Sequence, residues 1–186
     1  MALISVPTFA AGEHPSSAKM NLLGDAAIQL QGGTPASGTA LDLFSAVQVN
    51  AQTGIGLSTY VALTFDTTSE IIDVANGHST TVNNSRYVPK NAGIVEVGGN
   101  ATFAGATGGS RRVVEVRLNG VAVPGSSSTS PNITSTQSVP LQQGIYVSVN
   151  GTTDYLEIWA FADYASWATG ISGAAASRFT VKYVHA

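Results

Sequence analysis

From Leu57 to the C-terminus the chain alternates apolar and polar residues with a period of two, and that alternation limits its fold more than any other feature. In GIVEVGGNATF, Val95, Val97, Ala101 and Phe103 oppose Glu96, Asn100 and Thr102. RRVVEVRLNG sets Val114, Val116 and Leu118 against Arg111, Glu115 and Arg117, and RFTVKYV sets Phe179, Val181 and Tyr183 against Arg178, Thr180 and Lys182. LSTYVALTF places Leu57, Val61, Leu63 and Phe65 on one face with Thr59. Successive side chains of a strand point to opposite faces, so this pattern describes strands with one buried face. Turn pairs punctuate the strands at Asn76-Gly77, Gly108-Gly109, Asn119-Gly120 and Asn150-Gly151. Short antiparallel strands separated in this way predict an all-β sandwich. Pro124 to Thr136 reads as a long surface loop whose only apolar anchor is Ile133.

One strand breaks the simple pattern. In DYLEIWAFAD, Leu156, Ile158, Ala160 and Ala162 form one apolar face, while Tyr155, Trp159 and Phe161 surround Glu157 on the other. A strand apolar on both faces must be covered twice. Two covers are open: a second subunit, favoured because aromatic residues concentrate at interfaces, or the chain's own 164–177 loop folding back. The first makes Tyr155, Trp159 and Phe161 candidate subunit-interface residues.

Ahead of this domain the sequence changes character. Residues 1–33 read as an anchoring segment: an extended arm carrying Leu3, Ile4, Val6 and Phe9, then a short helix. Ser16 and Ser17 offer an N-cap after Pro15, and Met20, Leu23, Ala27 and Leu30 make a narrow stripe of helical period. Gln31-Gly32-Gly33 ends it. A four-turn helix with one apolar stripe is marginal by itself and needs a partner surface. Residues 34–56 read as a linker leading into a first strand, and 57–186 as the sandwich domain.

Composition removes several function classes. Charged residues are 10% of the 186, against a globular norm of about 25%, which suits a chain that hides surface in an assembly. Net charge is −3 and the basic residues are scattered, so nucleic acid is not an expected partner. No apolar run approaches the length of a membrane span, and MALISVPTFAAGEHP lacks a basic start and is broken by Pro7, a poor secretion signal. There is no cysteine, hence no disulfide or thiolate metal site. Four sequons, at Asn83, Asn100, Asn132 and Asn150, are of the kind that a Thr/Ser/Asn-rich chain produces by chance.

Catalytic patterns fail in turn. His14, His78 and His185 lie in three separate segments, and Glu13-His14 has no second histidine one helical turn on. Gly54-Ile55-Gly56 has no third glycine and no helix after it. No serine sits in Gly-x-Ser-x-Gly, and Asp154 and Glu157 point to opposite faces of their strand. Asp66, Glu70 and Asp73 around one loop are either cation ligands or solvated carboxylates; no metal and no cofactor is assigned. Tyr164 and Trp167, in a loop of small residues, are candidates for stacking on a sugar ring or for plugging the base of their loop.

The stretch VNNSRYVPKNAGIVEVGGNATFA, Val82 to Ala104, resembles the tumour-necrosis-factor-like and complement globular-head jelly rolls. Arg86-Tyr87-Val88-Pro89, Ala92-Gly93 and Ile94-Val95-Glu96-Val97 stand at the places of that pattern, followed by VRLNGVAV, GTTDYLEIWAF and SRFTVKYV in the same order. The chain departs from it by inserting Thr152 and Thr153 between Gly151 and Asp154. The resemblance covers about residues 57–186 and implies a jelly roll and a homotrimer around a threefold axis. The leader is similar to the start of bacteriophage structural proteins, through Ala11-Gly12-Glu13 and then Ala18-Lys19-Met20-Asn21 with Leu22 and Leu23. His14-Pro15 stand where the usual leader has a hydrophobic residue.

Together these resemblances imply a non-enzymatic structural protein of a phage virion, made in the host cytoplasm and carried on the outer surface of capsid or tail. The expected arrangement is a trimeric jelly roll bound by its arm to the major capsid protein, as a decoration protein; no coiled-coil or collagen-like shaft is present. The alternative is a minor tail or tail-tip protein that grips a host-surface glycan or receptor through Tyr164, Trp167 or the 125–136 loop.

Overall fold

The structure, a computed structural model, describes residues 41–66, 70–170 and 173–185. The strands are β1 (Leu43–Val47), β2 (Thr59–Ala62), β3 (Glu70–Asp73), β4 (Ala92–Phe103), β5 (Arg111–Leu118), β6 (Val121–Ala122), β7 (Ser128–Pro131), β8 (Gln137–Pro140), β9 (Ile145–Asn150), β10 (Leu156–Ala162) and β11 (Arg178–His185), with one 3₁₀ turn at Gly173–Ala175. They form two antiparallel sheets. The first runs β3-β1-β11-β4-β8, with β9 also paired to β4; the second runs β2-β10-β5-β6, with β7 also paired to β5. The chain passes between sheets after β1, β2, β4, β7, β9 and β10, which makes the sandwich a jelly roll.

The inward rows are the ones the alternation marks. Val95, Val97, Ala101 and Phe103 of β4, Val114 and Val116 of β5, and Phe179, Val181 and Tyr183 of β11 all belong to one core. Leu57 does not: it is 60% exposed. Ser58, with φ of 54°, turns the chain just before β2 and puts Leu57 outside the strand. Leu63 and Phe65 remain buried beyond its end.

Two segments gain definition from the structure. The first strand expected within residues 34–56 is Leu43–Val47, an interior strand lying between β3 and β11, so the jelly roll includes it. Ser128–Pro131, within the expected loop, pairs with β5 from Val114↔Ser128 to Arg111↔Pro131. Backbone ladders need no apolar side chains, so a Ser/Thr run is free to form one at an edge. The arm, the helix and their residues Leu3, Ile4, Val6, Phe9, Met20, Leu23, Ala27 and Leu30 lie outside the described residues.

At Gly98-Gly99, β4 changes partner. It pairs with β9 up to Val97↔Ile145 and with β8 from Asn100↔Pro140 onward. Gly99 has φ of 144°, and a Cβ there would stand 2.1 Å from the Arg178 carbonyl oxygen on β11. Only glycine lets the two backbones meet so closely.

Two buried charges are satisfied without an ion pair. Asp42 accepts hydrogen bonds from Tyr87 Oη at 2.7 Å, from the backbone N–H groups of Lys90 and Asn91, and from Asn91 Nδ2. Burial, the Asp42 hydrogen bond and the carboxylate charge push the Tyr87 hydroxyl far above its ordinary value. Arg112 donates from Nε to Asn132 Oδ1, from Nη1 to Gln137 Oε1, and from Nη2 to the carbonyls of Ala104 and Ile133. Its guanidinium therefore fixes the 132–137 segment against the end of β4.

Candidate functional site

The outer face of β10 is covered by the chain's own arginines. The Arg117 guanidinium lies 3.9 Å from the Trp159 ring centroid and 5.0 Å from that of Tyr60, and its Nη2 is 2.7 Å from Glu115 Oε1. Arg86 lies 4.0 Å over Tyr155 and 3.2 Å from Glu157 Oε1; Glu157 also accepts from Ser85 Oγ and Trp159 Nε1. Phe161 packs against Tyr60 at 4.7 Å, beneath Arg111 at 5.3 Å. Cations over ring faces are favourable, and Arg86 and Arg117 are each also held by a carboxylate. Phe161 is consequently 5% exposed within the single chain, whereas Tyr155 and Trp159 are half-buried. Burial raises the Tyr60 hydroxyl, as does Glu115, against the opposing charges of Arg111 and Arg117.

Tyr164 and Trp167 point inward. Trp167 is 1% exposed, packs on Phe103 at 5.7 Å between centroids and donates from Nε1 to the Gly56 carbonyl. Tyr164 is 8% exposed and donates to the Ala104 carbonyl. Neither ring offers a free face for a sugar. Their loop is stitched down by paired backbone hydrogen bonds between Ile55 and Trp167. A composition of small residues around two aromatics does not distinguish a binding loop from a plug, because both need rings on short-chained neighbours.

The titratable residues are engaged in building turns. His78 has a fully buried side chain, unlike an ordinary loop histidine, with Nδ1 2.6 Å from Glu70 Oε1 and Nε2 3.1 Å from the Asn84 carbonyl. Asp73 accepts from the Gly77 and His78 N–H groups. Asp154 accepts from Asn119 Nδ2 and the Asn150 N–H. Asp163 accepts from the N–H groups of Ser110 and Arg111; burial acts to raise its carboxyl, but these hydrogen bonds outweigh burial and hold it below the usual carboxylate range. His185 is exposed at the end of β11. Among the described residues no three His, Cys, Asp or Glu side chains gather as a metal site.

The other sheet carries a group of exposed apolar residues, besides Val121 on β6 and Leu57, Val82 and Ile133 in loops. Register aligns Leu43, Lys182, Glu96 and Tyr146 in one row across β1, β11, β4 and β9, and Ile72, Ser45, Thr180 and Gly98 in the next. Tyr146 is 58% exposed, and Leu43, Ile72 and Val184 are also large apolar residues open to solvent. This broad face mixes small and apolar side chains with a cross-strand Lys182–Glu96 neighbour pair and with Arg178, which stands between Val47 and Asn100.

No protein-family model and no curated protein matches the sequence. Solved structures do match the fold. The crystal structure of murine APRIL at pH 5.0 superposes with a TM-score of 0.54 at 12% identity, covering 77% of this chain and 100% of that one. Murine APRIL at pH 8.0 gives 0.53 at 13% identity with the same coverage. The globular domain of zebrafish complement 1qA gives 0.49 at 14% identity, covering 76% of this chain and 93% of that one. At such identities the likeness is one of architecture: the described chain is an antiparallel jelly roll of the tumour-necrosis-factor-like kind.

Proposed function

We propose that the chain is a non-enzymatic structural protein of a bacteriophage virion, a trimeric jelly roll attached to the capsid surface through its N-terminal segment. The observation that carries this reading is the pairing of two unlike parts. A leader whose sequence reads as an apolar arm and a one-stripe helix, similar to phage structural-protein leaders, precedes a charge-poor jelly roll. The non-enzymatic reading is supported by the carboxylates, since Glu70, Asp73, Asp154, Glu157 and Asp163 are each bonded to His78, Arg86 or turn-building groups.

The trimer proposed here packs through the outer face of the six-stranded sheet. That choice follows from coverage: Leu43, Tyr146 and Val184 are uncovered, while Phe161 on the opposite sheet already lies beneath Tyr60 and Arg111. Interfaces between permanent partners are more apolar than the rest of a surface, and on this face Leu43, Ile72, Tyr146 and Val184 supply apolar area around Lys182, Glu96 and Arg178.

Deleting residues 2–30 tests the attachment. Purified virions lacking the protein are to be incubated with full-length or truncated chain and separated by density. The full-length chain is expected to load and the truncated chain to stay in the supernatant. Equal loading of both would remove the leader as the anchor.

A further inference from the structure

Between the 76–90 segment and the turn at Thr152–Tyr155 lies an open groove of about 360 Å³, at the lower end of the roughly 300–1,000 Å³ of small-ligand sites. Its lining is one-sided in charge. Arg86 and Lys90 contribute two cations, and no carboxylate lines it. Of the nearby carboxylates, Glu157 pairs with Arg86 itself through Nε, so Arg86 brings only its terminal nitrogens to the groove, while Asp154 caps Asn119 and Asn150 and Asp73 caps Gly77 and His78. Lys90 has an exposed side chain with no carboxylate partner among the described residues, and only its backbone N–H is used, by Asp42. The Arg86 side chain is 38% exposed, and its terminal nitrogens donate to no described residue.

The rest of the lining mixes hydroxyl and amide groups (Asn76, Ser79, Asn83, Thr152, Thr153) with Val82, Val88 and the Tyr155 ring. Asn150 Oδ1 accepts from the N–H groups of Thr152, Thr153 and Asp154, which holds the turn rigid. Thr153 Oγ1 accepts from Asn150 Nδ2, leaving its own proton to donate outward. These two threonines are the residues inserted relative to the jelly-roll pattern the sequence resembles, so the insertion itself forms one wall. Arg86 covers one face of the Tyr155 ring, which disfavours stacking of a planar base there. Hydroxyl donors and acceptors beside two cations suit a saccharide with an anionic substituent.

We propose that this groove binds an acidic sugar unit of a surface polymer, its carboxylate or phosphate at Arg86 and Lys90 and its ring hydroxyls at Thr152 and Thr153. The site does not depend on the virion reading and would exist on any particle, or none. Isothermal titration of the full chain tests it with three probes: a galacturonic acid tetramer, galactose 6-phosphate and a neutral galactose tetramer. Binding of either anionic probe, weakened by salt, with no binding of the neutral one, is the expected result; which of the two binds identifies the anion. Lys90→Glu should weaken that binding at least about tenfold, the equivalent of one charge-assisted contact. Thr153→Ala should weaken it less and without changing the salt dependence. Lys90→Glu keeps the backbone hydrogen bond to Asp42, and an unchanged thermal transition confirms its fold. Failure of both anionic probes, equal binding of the neutral probe, or unaltered affinity in Lys90→Glu would each overturn the site.

Discussion

Asp42 and Tyr87 illustrate how single residues secure this sandwich. Tyr87 is fully buried, and its hydroxyl gives one of the four hydrogen bonds that replace water around the Asp42 carboxylate. Because folding holds the Tyr87 proton more tightly than an unfolded chain does, the raised value implies a stability contribution with a definite pH window. It is fully present below the unfolded value of about 10 and is lost as pH rises past it. Urea unfolding between about pH 8 and 11 should therefore show stability falling at the alkaline end, with a shallower fall in Tyr87→Phe. Parallel pH profiles for the two proteins would assign the alkaline loss elsewhere. The aromatic and turn identities behind this arrangement were legible in the sequence, as Arg86-Tyr87-Val88-Pro89. The carboxylate it serves was not, since Asp42 sits 45 positions away in an expected linker.

Among the elements, β4 carries the most structural consequence, because it pairs with β11 on one side and with both β9 and β8 on the other. Its alternation was plain in the sequence on both sides of Gly98-Gly99, yet the glycine pair gave no sign of which strands meet there. The structure explains the pair: β8 takes over from β9, and the β11 backbone presses against Gly99. Gly99→Ala places a methyl group within 2.1 Å of the Arg178 oxygen and forces an L-residue into positive φ. Conformational strain and overpacking together should cost about 3 kcal/mol or more, read as a lowered urea midpoint at constant slope. A loss under about 1 kcal/mol would mean that β4 and β11 separate at this point at little cost. A first strand was expected within residues 34–56 without its bounds, and β7 was missed, for related reasons. In β1 only Phe44 and Ala46 turn inward, too short a run to register as alternation, and β7 is held by its backbone ladder and by Arg112 contacts to the residues that follow it.

For the whole molecule, the two outer faces divide the functional possibilities. The five-stranded sheet closes its aromatic strand with Arg86, Arg111 and Arg117, whereas the six-stranded sheet leaves Leu43, Tyr146 and Val184 uncovered. If the second face joins subunits, Leu43→Asp should convert a particle of three times the monomer mass into monomers by multi-angle light scattering, with the sandwich still folded. Leu43 points away from the core, so its loss should leave the thermal transition of the monomer intact. A wild-type protein that is monomeric at micromolar concentration would remove the trimer from the proposal and leave the groove at Lys90 untouched.

The sequence alone determined the class of this fold, because period-two alternation and Asn-Gly turns are local, and local rules dictate which side of each strand is buried. Only the tertiary structure decided which aromatic residues are available to a partner. Trp167 and Phe161 look like surface aromatics by position, yet one is held by Phe103 and Gly56 and the other by Tyr60 and Arg111, all distant in the chain. It likewise joined Arg86 and Lys90 to Thr152 and Thr153 across one groove. Such groupings depend on how strands from two sheets are brought side by side, and that is a property of long-range packing that no local spacing encodes.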